Sequence, residues 1–286
     1  MAQKNLSVKQ INSKANNIRK NIISSLVKAG SGHSAGPLGM AEVFAALYFN
    51  VLNHDPKKPW HPNRDRVILS AGHICPVWYA TLAEAGYFPK SELQTLRQLG
   101  SRLQGHPHYR SAPGIENAAG PLGQGISIAA GMALAGRMDN KSWKVFCVMG
   151  DGEQQEGQVW EALWFAGKNR LSNLTIIVDR NNIQIDGHTE DVMPLEPFEE
   201  KYEAFNWHVL SINGHSVSEI INACEQADAM QEKPTMIIAN TIPGKGVHFM
   251  EDRPEWHGKP PKLAEAKHAL KHLRTLGGKI ECHDYE

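Results

Sequence analysis

Closely spaced cysteines are absent from this chain of 286 residues, as are the marks of a secreted or membrane-bound protein. The four cysteines are far apart and form no CxxC pair: Cys75, Cys147, Cys224 and Cys282. Dispersed cysteines are typical of reduced thiols in a cytoplasmic protein. The amino-terminal stretch "MAQKNLSVKQ" lacks the apolar core of a signal peptide, and no apolar run approaches transmembrane length. We therefore expect a cytoplasmic protein that has no membrane partner.

An excess of charge of either sign is also missing. Lys plus Arg and Asp plus Glu both total 30, so the formal net charge is zero. Balanced charge gives no support for a polyanionic partner, and we expect no binding to nucleic acid. Two catalytic classes lack their motifs as well. The chain has no H-E-x-x-H or closely spaced His/Cys set for zinc, and "GQGISIAAG" lacks the spacing and the context of a nicotinamide-binding fingerprint.

What the chain does have is an alternation of short apolar runs and helix-like segments. The apolar runs are "RVILSA", "KVFCVMG", "LTIIVD", "WHVLSI" and "TMIIANT". Because their apolar residues are continuous rather than alternating, they are typical of parallel strands buried on both faces. Helix-like segments such as 123–138 and 217–231 lie between most of them. The pattern predicts an α/β fold, a doubly wound and mostly parallel sheet with helices on both faces.

We expect a single domain over residues 1–286. Its first 30 residues contain an amphipathic helix over residues 7–29, and its last part, 261–286, contains a peripheral helix. Residues 40–52 are predicted to form a second helix, after the break "GHSAGPLG".

Polar residues follow two of the predicted strands. "KVFCVMGDG" ends on Gly150, Asp151 and Gly152, and "LTIIVDRNN" brings Asn181 and Asn182 to the same edge of the sheet. Carboxylate and carbonyl oxygens suit Mg²⁺, whose remaining positions phosphate oxygens and water would fill. The same oxygen ligands also accept Ca²⁺ or Mn²⁺. GDG alone is more often a plain strand-to-helix turn, but the second polar pair favours a site for a metal ion and a diphosphate.

We expect a helix to begin directly after Gly152 and to direct its positive amino-terminal end at the diphosphate. Glu153 and Gln154 are interpreted as helix-start residues of this segment.

Several sequence blocks together resemble one enzyme family. GDG followed about 28 residues later by Asn is the thiamine diphosphate signature. "SGHSAGPLG", "RDRVILSAGH", "GPLGQGISIAAGMALAGR", "TIPGKG" and "WHG" are similar to blocks of the transketolase family and occur in the family's order. The resemblance implies thiamine diphosphate and Mg²⁺ as cofactors. It also implies transfer of a two-carbon ketol unit from a ketose phosphate to an aldose phosphate, a reaction of the pentose phosphate pathway.

The resemblance also assigns site residues. The implied metal ligands are Asp151, Asn181 and the backbone carbonyl of Ile183. The implied cofactor contacts are His73, Gly120, Leu122, Gly150 and Gly152, together with the metal ligands. The implied catalytic residues are His33, His73, His106, His257 and Glu156. Imidazoles donate and accept hydrogen bonds and carry protons near neutral pH, which suits work on sugar hydroxyls. Any one of these histidines taken alone is more often a surface or capping residue.

Glu156 has two interpretations that are compatible. The resemblance implies a position near a subunit interface, linked to the cofactor of the neighbouring active site. An acidic residue in the first turn of a helix is also stabilised by the helix dipole.

The chain departs from the usual family pattern at a few positions. Ser34 stands where the family usually has proline after Gly-His, and Arg180 is new beside the predicted metal site. Arg180 either points away from the site on the alternate strand face or changes which anion binds. Pro243 lies near the expected thiazolium, and Cys75 and His108 follow motif histidines. These departures leave the substrate open.

Transketolase-like chains normally continue with a pyrimidine-binding domain and a C-terminal domain. The resemblance therefore implies the N-terminal subunit of a split transketolase, active with a C-terminal subunit in a 2+2 heterotetramer and acting on sugar phosphates. One alternative is a split thiamine diphosphate ketol-transferase for an unusual sugar, such as a sulfonated or branched one. Another is a non-catalytic cofactor-binding subunit.

Overall fold

The computed structural model describes residues 6–275. The strands in this part of the chain are β1 (Arg66–Leu69), β2 (Val145–Gly150), β3 (Leu174–Arg180), β4 (Ile183–Gln184), β5 (Gly187–His188), β6 (His208–Asn213) and β7 (Thr235–Asn240). The α-helices are α1 (Val8–Ala29), α2 (Ala35–Gly39), α3 (Ala41–Ala46), α4 (Cys75–Ala85), α5 (Gln124–Met138), α6 (Gly157–Lys168), α7 (Thr189–Val192), α8 (Phe198–Ala204), α9 (Val217–Ala229) and α10 (Leu263–Thr275).

Five strands form one parallel sheet in the order β1-β2-β3-β7-β6. The central strand β3 is buried along its whole length, as its continuous apolar sequence predicts. β4 and β5 form a separate antiparallel hairpin. The predicted α/β fold with a mostly parallel sheet is confirmed.

Helices cover both faces of the sheet. Val148 and Ile177 point into a core that they share with α1, α3, α4 and α9. Their strand neighbours Cys147 and Ile176 point into a second core, formed with α5, α6 and α8. Because successive side chains of a strand point to opposite faces, this alternation shows that the sheet is covered on both sides.

The first helix has the signals that its sequence predicts. Ser7 and Gln10 form a reciprocal capping box at its start, and Gly30 ends it in the left-handed conformation with φ 64°. Its buried stripe packs against α3, α4 and α10. Arg19 on this stripe donates to both carboxylate oxygens of Glu42 in α3, each at 2.5 Å.

Two predicted helices differ from the structure. The segment 40–52 is α3 followed by a π-helical turn, Leu47–Val51. The helix predicted directly after Gly152 is wrong: a 3₁₀ turn (Gly152–Gln155) comes first, Glu156 is extended, and α6 begins at Gly157. The turn is closed by backbone hydrogen bonds from the Gln154 N–H to the Asp151 carbonyl at 2.9 Å and from the Glu156 N–H to the Glu153 carbonyl at 3.1 Å.

The carboxyl-terminal segment forms α10 as far as Thr275 and packs on α1 through buried Ala266, Ala269 and Leu273. The part of the predicted tail beyond this helix lies outside the described residues. Within the described range, no helix combines the length and the apolar character needed to cross a membrane.

Candidate active site

A cavity of about 460 Å³ at the carboxyl ends of β2 and β3 brings together all the site residues predicted from the sequence. These lining residues are His33, His73, His106, Gly120, Leu122, Gly150, Asp151, Gly152, Glu156, Asn181, Ile183 and His257. Another cavity, of about 480 Å³, includes Lys144 and Thr175 from the opposite ends of these strands and none of the predicted residues. Ligands of open parallel sheets bind beyond the carboxyl ends of the strands, so the first cavity is the candidate site.

Asp151 and Asn181 each keep an oxygen lone pair available in this cavity. Asp151 is 2% exposed; its Oδ1 accepts the Gly152 N–H at 2.7 Å, and its Oδ2 accepts the Asn182 N–H at 2.7 Å and faces Arg180 at 3.4 Å. The Asn181 Oδ1 accepts the Ile183 N–H at 3.0 Å. Because each oxygen has two lone pairs, Oδ1 of Asp151 and Oδ1 of Asn181 each retain one.

This oxygen set fits a hard divalent cation. Burial raises the pKa of Asp151 to about 6, although the Asn182 N–H and Arg180 favour the ionised form. A cation beside the carboxylate would restore its ionisation. Within residues 6–275, no group of three or more His, Cys, Asp or Glu has a metal-binding arrangement. Amide, carbonyl and phosphate oxygens would therefore have to complete the coordination, as they do for Mg²⁺.

Gly152 and Gly72 lie close to neighbouring groups at the cavity. A Cβ on Gly152 would lie 3.1 Å from Oε1 of Gln184, and one on Gly72 would lie 2.9 Å from the backbone N of Gly120. A side chain at Gly72 would collide with this backbone, whereas one at Gly152 would displace only the Gln184 side chain. Gly72 thus keeps the backbone close beside Gly120, which lines the cavity.

Glu153 also lines the cavity, a role that the sequence interpretation missed. It is buried, and its carboxylate accepts the N–H groups of Gly123 at 2.7 Å and Gly150 at 3.0 Å and the hydroxyl of Ser70. These bonds join the ends of β1 and β2 to the start of α5. In the sequence, an acidic residue followed by amides after GDG is typical of a helix start. The role of Glu153 in the cavity is therefore visible only in the structure.

Gln154, the next residue of the turn, is also held by side-chain hydrogen bonds. Its amide donates to the Gly150 carbonyl at 2.8 Å, and its Oε1 accepts the hydroxyl of Tyr202 in α8. It is fully buried and lies in the 3₁₀ turn, so the interpretation as a residue at the start of the helix is wrong.

Asp179 is a second carboxylate of the cavity that sequence reasoning missed. Its Oδ2 accepts the Asn181 Nδ2 at 2.7 Å, and its Oδ1 accepts the hydroxyl of Thr241. Burial raises its pKa to about 7. The bond fixes the Asn181 amide so that its oxygen, not its nitrogen, stays available to the cavity. In the sequence, the signal for this role was an aspartate two residues before Asn181.

Three of the four predicted histidines form one cluster. The ring centroids of His33, His73 and His257 are 5.0 to 5.6 Å apart. His106 lines the same cavity beside Gly120. The Nδ1 atoms of His33 and His257 are buried and have no hydrogen-bond partner within the described residues. Buried polar atoms normally have partners, so these two point to a bound ligand.

The histidines are held neutral. Burial, followed by the charges of His257, His106 and Arg97, lowers the pKa of His33 to about 4. Burial also lowers the pKa values of His73 and His257. A neutral imidazole has one donor and one acceptor, which matches the hydroxyl and carbonyl groups of a sugar.

Arg180 lies beside the candidate metal site rather than away from it. Its guanidinium is buried, faces Asp151, and donates to Glu190 at 2.6 Å and to Glu196 at 2.9 Å. The other departures are farther from the cradle. Cys75 donates through Sγ to the Gly105 carbonyl at 3.1 Å, and Pro243 packs near Gly39 rather than among the residues lining the cavity.

A parallel α/β sheet with buried oxygen donors and a glycine-rich turn at the carboxyl ends of its strands is typical of the diphosphate-binding domain of a cofactor-dependent enzyme. Residues 11–277 match the family model described as transketolase, thiamine diphosphate binding domain. The chain belongs to the transketolase family.

Its relatives include short subunits and longer enzymes. It is 49% identical over 251 residues to the 6-deoxy-6-sulfo-D-fructose transketolase subunit SqwG of Clostridium sp. strain MSTE9, covering 88% of this chain and 90% of that one. It is 39% identical to an apulose-4-phosphate transketolase subunit of Phocaeicola vulgatus, covering 92% of this chain and 93% of that one.

Longer transketolases match over only part of their length. The crystal structure of transketolase from Campylobacter jejuni aligns with a TM-score of 0.86 and 38% identity, covering 93% of this chain but 43% of that one. The similarity therefore concerns one part of the longer enzymes, the thiamine diphosphate-binding part.

Proposed function

We propose that this chain is the N-terminal, diphosphate-binding subunit of a two-component transketolase. The proposed reaction transfers a two-carbon ketol unit from a ketose phosphate to an aldose phosphate. The observation that carries the proposal is the convergence of all predicted metal, cofactor and sugar-binding residues on one cavity. The match to subunits of similar length supports a partner chain.

The cradle would hold Mg²⁺ through Asp151, Asn181 and the Ile183 carbonyl; the same oxygens also suit Ca²⁺ or Mn²⁺. Gly150 and Gly152 would lie against the diphosphate, and His73, Gly120 and Leu122 would contact the cofactor. Bound thiamine diphosphate supplies the carbanion chemistry of ketol transfer. The protein supplies binding, orientation and proton positions.

The histidine cluster would bind the sugar. Neutral His33, His73 and His257 can each donate to a carbonyl oxygen or accept from a hydroxyl, and His106 extends this set near Gly120. Proton transfer to and from the sugar hydroxyls would proceed through these rings, which line the cavity together.

The partner would be a C-terminal transketolase subunit with a pyrimidine-binding and a C-terminal domain, in a 2+2 heterotetramer. Glu156 is exposed at the edge of the cavity, where a neighbouring subunit would meet it. A cytoplasmic location is part of the proposal, supported by the free thiols of Cys75, Cys147 and Cys224.

A second candidate is a split ketol-transferase for an unusual sugar. The similarity at 49% identity to the 6-deoxy-6-sulfo-D-fructose transketolase subunit favours it. Ser34 and Arg180 also differ from the usual family pattern at the site. A purely cofactor-binding role is disfavoured, because the histidine cluster lines the same cavity as the predicted metal ligands.

The test combines the chain with its candidate partner and assays a panel of donors: xylulose 5-phosphate, 6-deoxy-6-sulfo-D-fructose and apulose 4-phosphate. We expect turnover of at least one donor in the mixture and none with either chain alone. The control is His257→Asn, which should bind cofactor normally and lose turnover. Turnover by this chain alone would contradict the two-component proposal, and turnover unaffected by His257→Asn would contradict the assigned site.

A further inference from the structure

A buried hydroxyl joins the two loops that carry His33 and His257. Ser34 is 0% exposed, and its Oγ donates to the Lys259 carbonyl at 2.7 Å and lies 3.3 Å from the Trp256 carbonyl. The two acceptors flank His257 in the chain, and the donor directly follows His33. One side chain therefore links the two histidine loops across more than 220 residues of sequence.

Backbone contacts hold the same connection farther from the histidines. The Gly244 N–H donates to the Ala35 carbonyl at 2.8 Å. A Cβ on Gly39 would lie 3.1 Å from the Ile242 carbonyl oxygen, so the chain after β7 runs close along α2. These contacts fix residues 242–244, whereas the Ser34 hydroxyl binds residues 256–259, next to the histidine cluster.

The geometry points to Ser34 as a positioning residue: its hydroxyl sets the separation of His33 and His257 and thereby the binding of the ketose. The rings stand edge to face, with centroids 5.6 Å apart and planes at 85°. Both rings line the cavity, so a change in their separation changes the surface that a ketose would contact. The inference rests on the proposed function for its consequence, but the ring geometry can be tested separately.

The proline usual at this position in the family has no hydroxyl and cannot make either bond. In this chain the Ser34 hydroxyl links the two histidine loops, so substitution of Ser34 should change sugar binding without changing the metal cradle. Ser34 makes no hydrogen bond to Asp151 or Asn181.

The first experiment measures steady-state kinetics of the complex with the donor that it turns over. Ser34→Ala removes the donor and should raise KM for the ketose about 10-fold, with a smaller change in kcat. The dissociation constant of Mg²⁺–thiamine diphosphate, measured by calorimetry, should change by less than about twofold. Ser34→Thr keeps the hydroxyl and should restore most of the ketose affinity.

Ser25→Ala is the matched control. Ser25 is 2% exposed and donates to the Ile22 carbonyl at 3.0 Å within α1. The Ser25→Ala variant therefore loses a comparable buried hydrogen bond away from the site. It should have a lower thermal stability and an unchanged KM. An equal rise in KM in both variants would overturn the inference, because general destabilisation would then explain it.

The second experiment needs no activity. In the full chain with ¹⁵N-labelled histidine rings, Ser34→Ala should shift the His33 and His257 ring resonances and weaken the contact between the rings, while Ser25→Ala leaves both unchanged. Ring signals unchanged in Ser34→Ala would overturn the positioning role. If the wild-type complex turns over no donor, the proposed function fails, and the ring signals still decide the role of Ser34.

Discussion

At the scale of single residues, the cavity depends on carboxylates that the protein holds in place by hydrogen bonds. Asp151 offers one oxygen to the cavity. Asp179 accepts from the Asn181 amide, and Glu153 accepts from the backbone N–H groups of Gly123 and Gly150. The sequence predicts Asp151, because GDG and a later Asn form a motif. It does not predict the other two, because their partners are backbone and hydroxyl groups that only the folded chain brings near. Residues that orient other groups of the site are therefore harder to predict than the residue that is expected to bind the metal.

Asp179→Ala should weaken metal binding. The Asn181 amide loses its carboxylate acceptor and becomes free to rotate, and loss of such an orienting contact typically costs about 10-fold to 100-fold in metal affinity. Calorimetric titration of Mg²⁺ in the presence of thiamine diphosphate and the partner measures the effect. Thr241→Val, which removes only the other bond to Asp179, should have a smaller effect. Equal effects would contradict the orienting role.

His33 should stay neutral well below neutral pH. Burial, together with the charges of His257, His106 and Arg97, lowers its pKa from 6.5 to about 4, so the ring is unprotonated at pH 6. Ring ¹⁵N chemical shifts of the chain, followed from pH 8 downward, measure its protonation. A midpoint at or above pH 6 would contradict the environment described for this cavity.

At the scale of elements, turns and connections place the site, while the sheet supplies the edge on which it forms. The parallel strands and the long helices α1, α5 and α9 could be predicted from apolar pattern and caps. The β4–β5 hairpin could not, since each strand has two residues and no periodicity to detect. The turn after Gly152 could not either, because buried Glu153 and Gln154 favour a 3₁₀ turn through tertiary contacts that a local pattern does not contain.

The α1–α3 contact should make stability pH-dependent in acid. Burial alone would raise the pKa of Glu42, but Arg19 and His215 lower it from 4.5 to about 2. A carboxyl with a depressed pKa stabilises the fold above its unfolded pKa, so this contribution, on the order of 3 kcal/mol, should be lost as the pH falls from about 4.5 towards 2. Urea unfolding at a series of pH values measures it.

Glu42→Gln provides the comparison for this pH series. The variant should be less stable than wild type at pH 7, because buried Arg19 loses its charged partner. It should also lose less stability on acidification. Parallel pH profiles for the two proteins would show that Glu42 is not responsible.

At the scale of the whole molecule, the sheet order brings the polar ends of β2 and β3 together and closes the cavity with loops from distant parts of the chain. The glycine-rich turns and the metal motif are predictable, because each lies within one sequence block. The histidine cluster and His106 were predicted by family resemblance only, since these residues come from separate parts of the chain, at positions 33, 73, 106 and 257. No spacing rule connects these positions.

The most direct test of the account is calorimetric titration of thiamine diphosphate with Mg²⁺ into the complex of this chain and its partner, for wild type and Asp151→Ala. Asp191→Ala, an exposed aspartate of α7, is the matched control. The account predicts tight binding in wild type and Asp191→Ala, and affinity weakened about 100-fold or more in Asp151→Ala. Unchanged affinity in Asp151→Ala would contradict it, because GDG would then be only a turn.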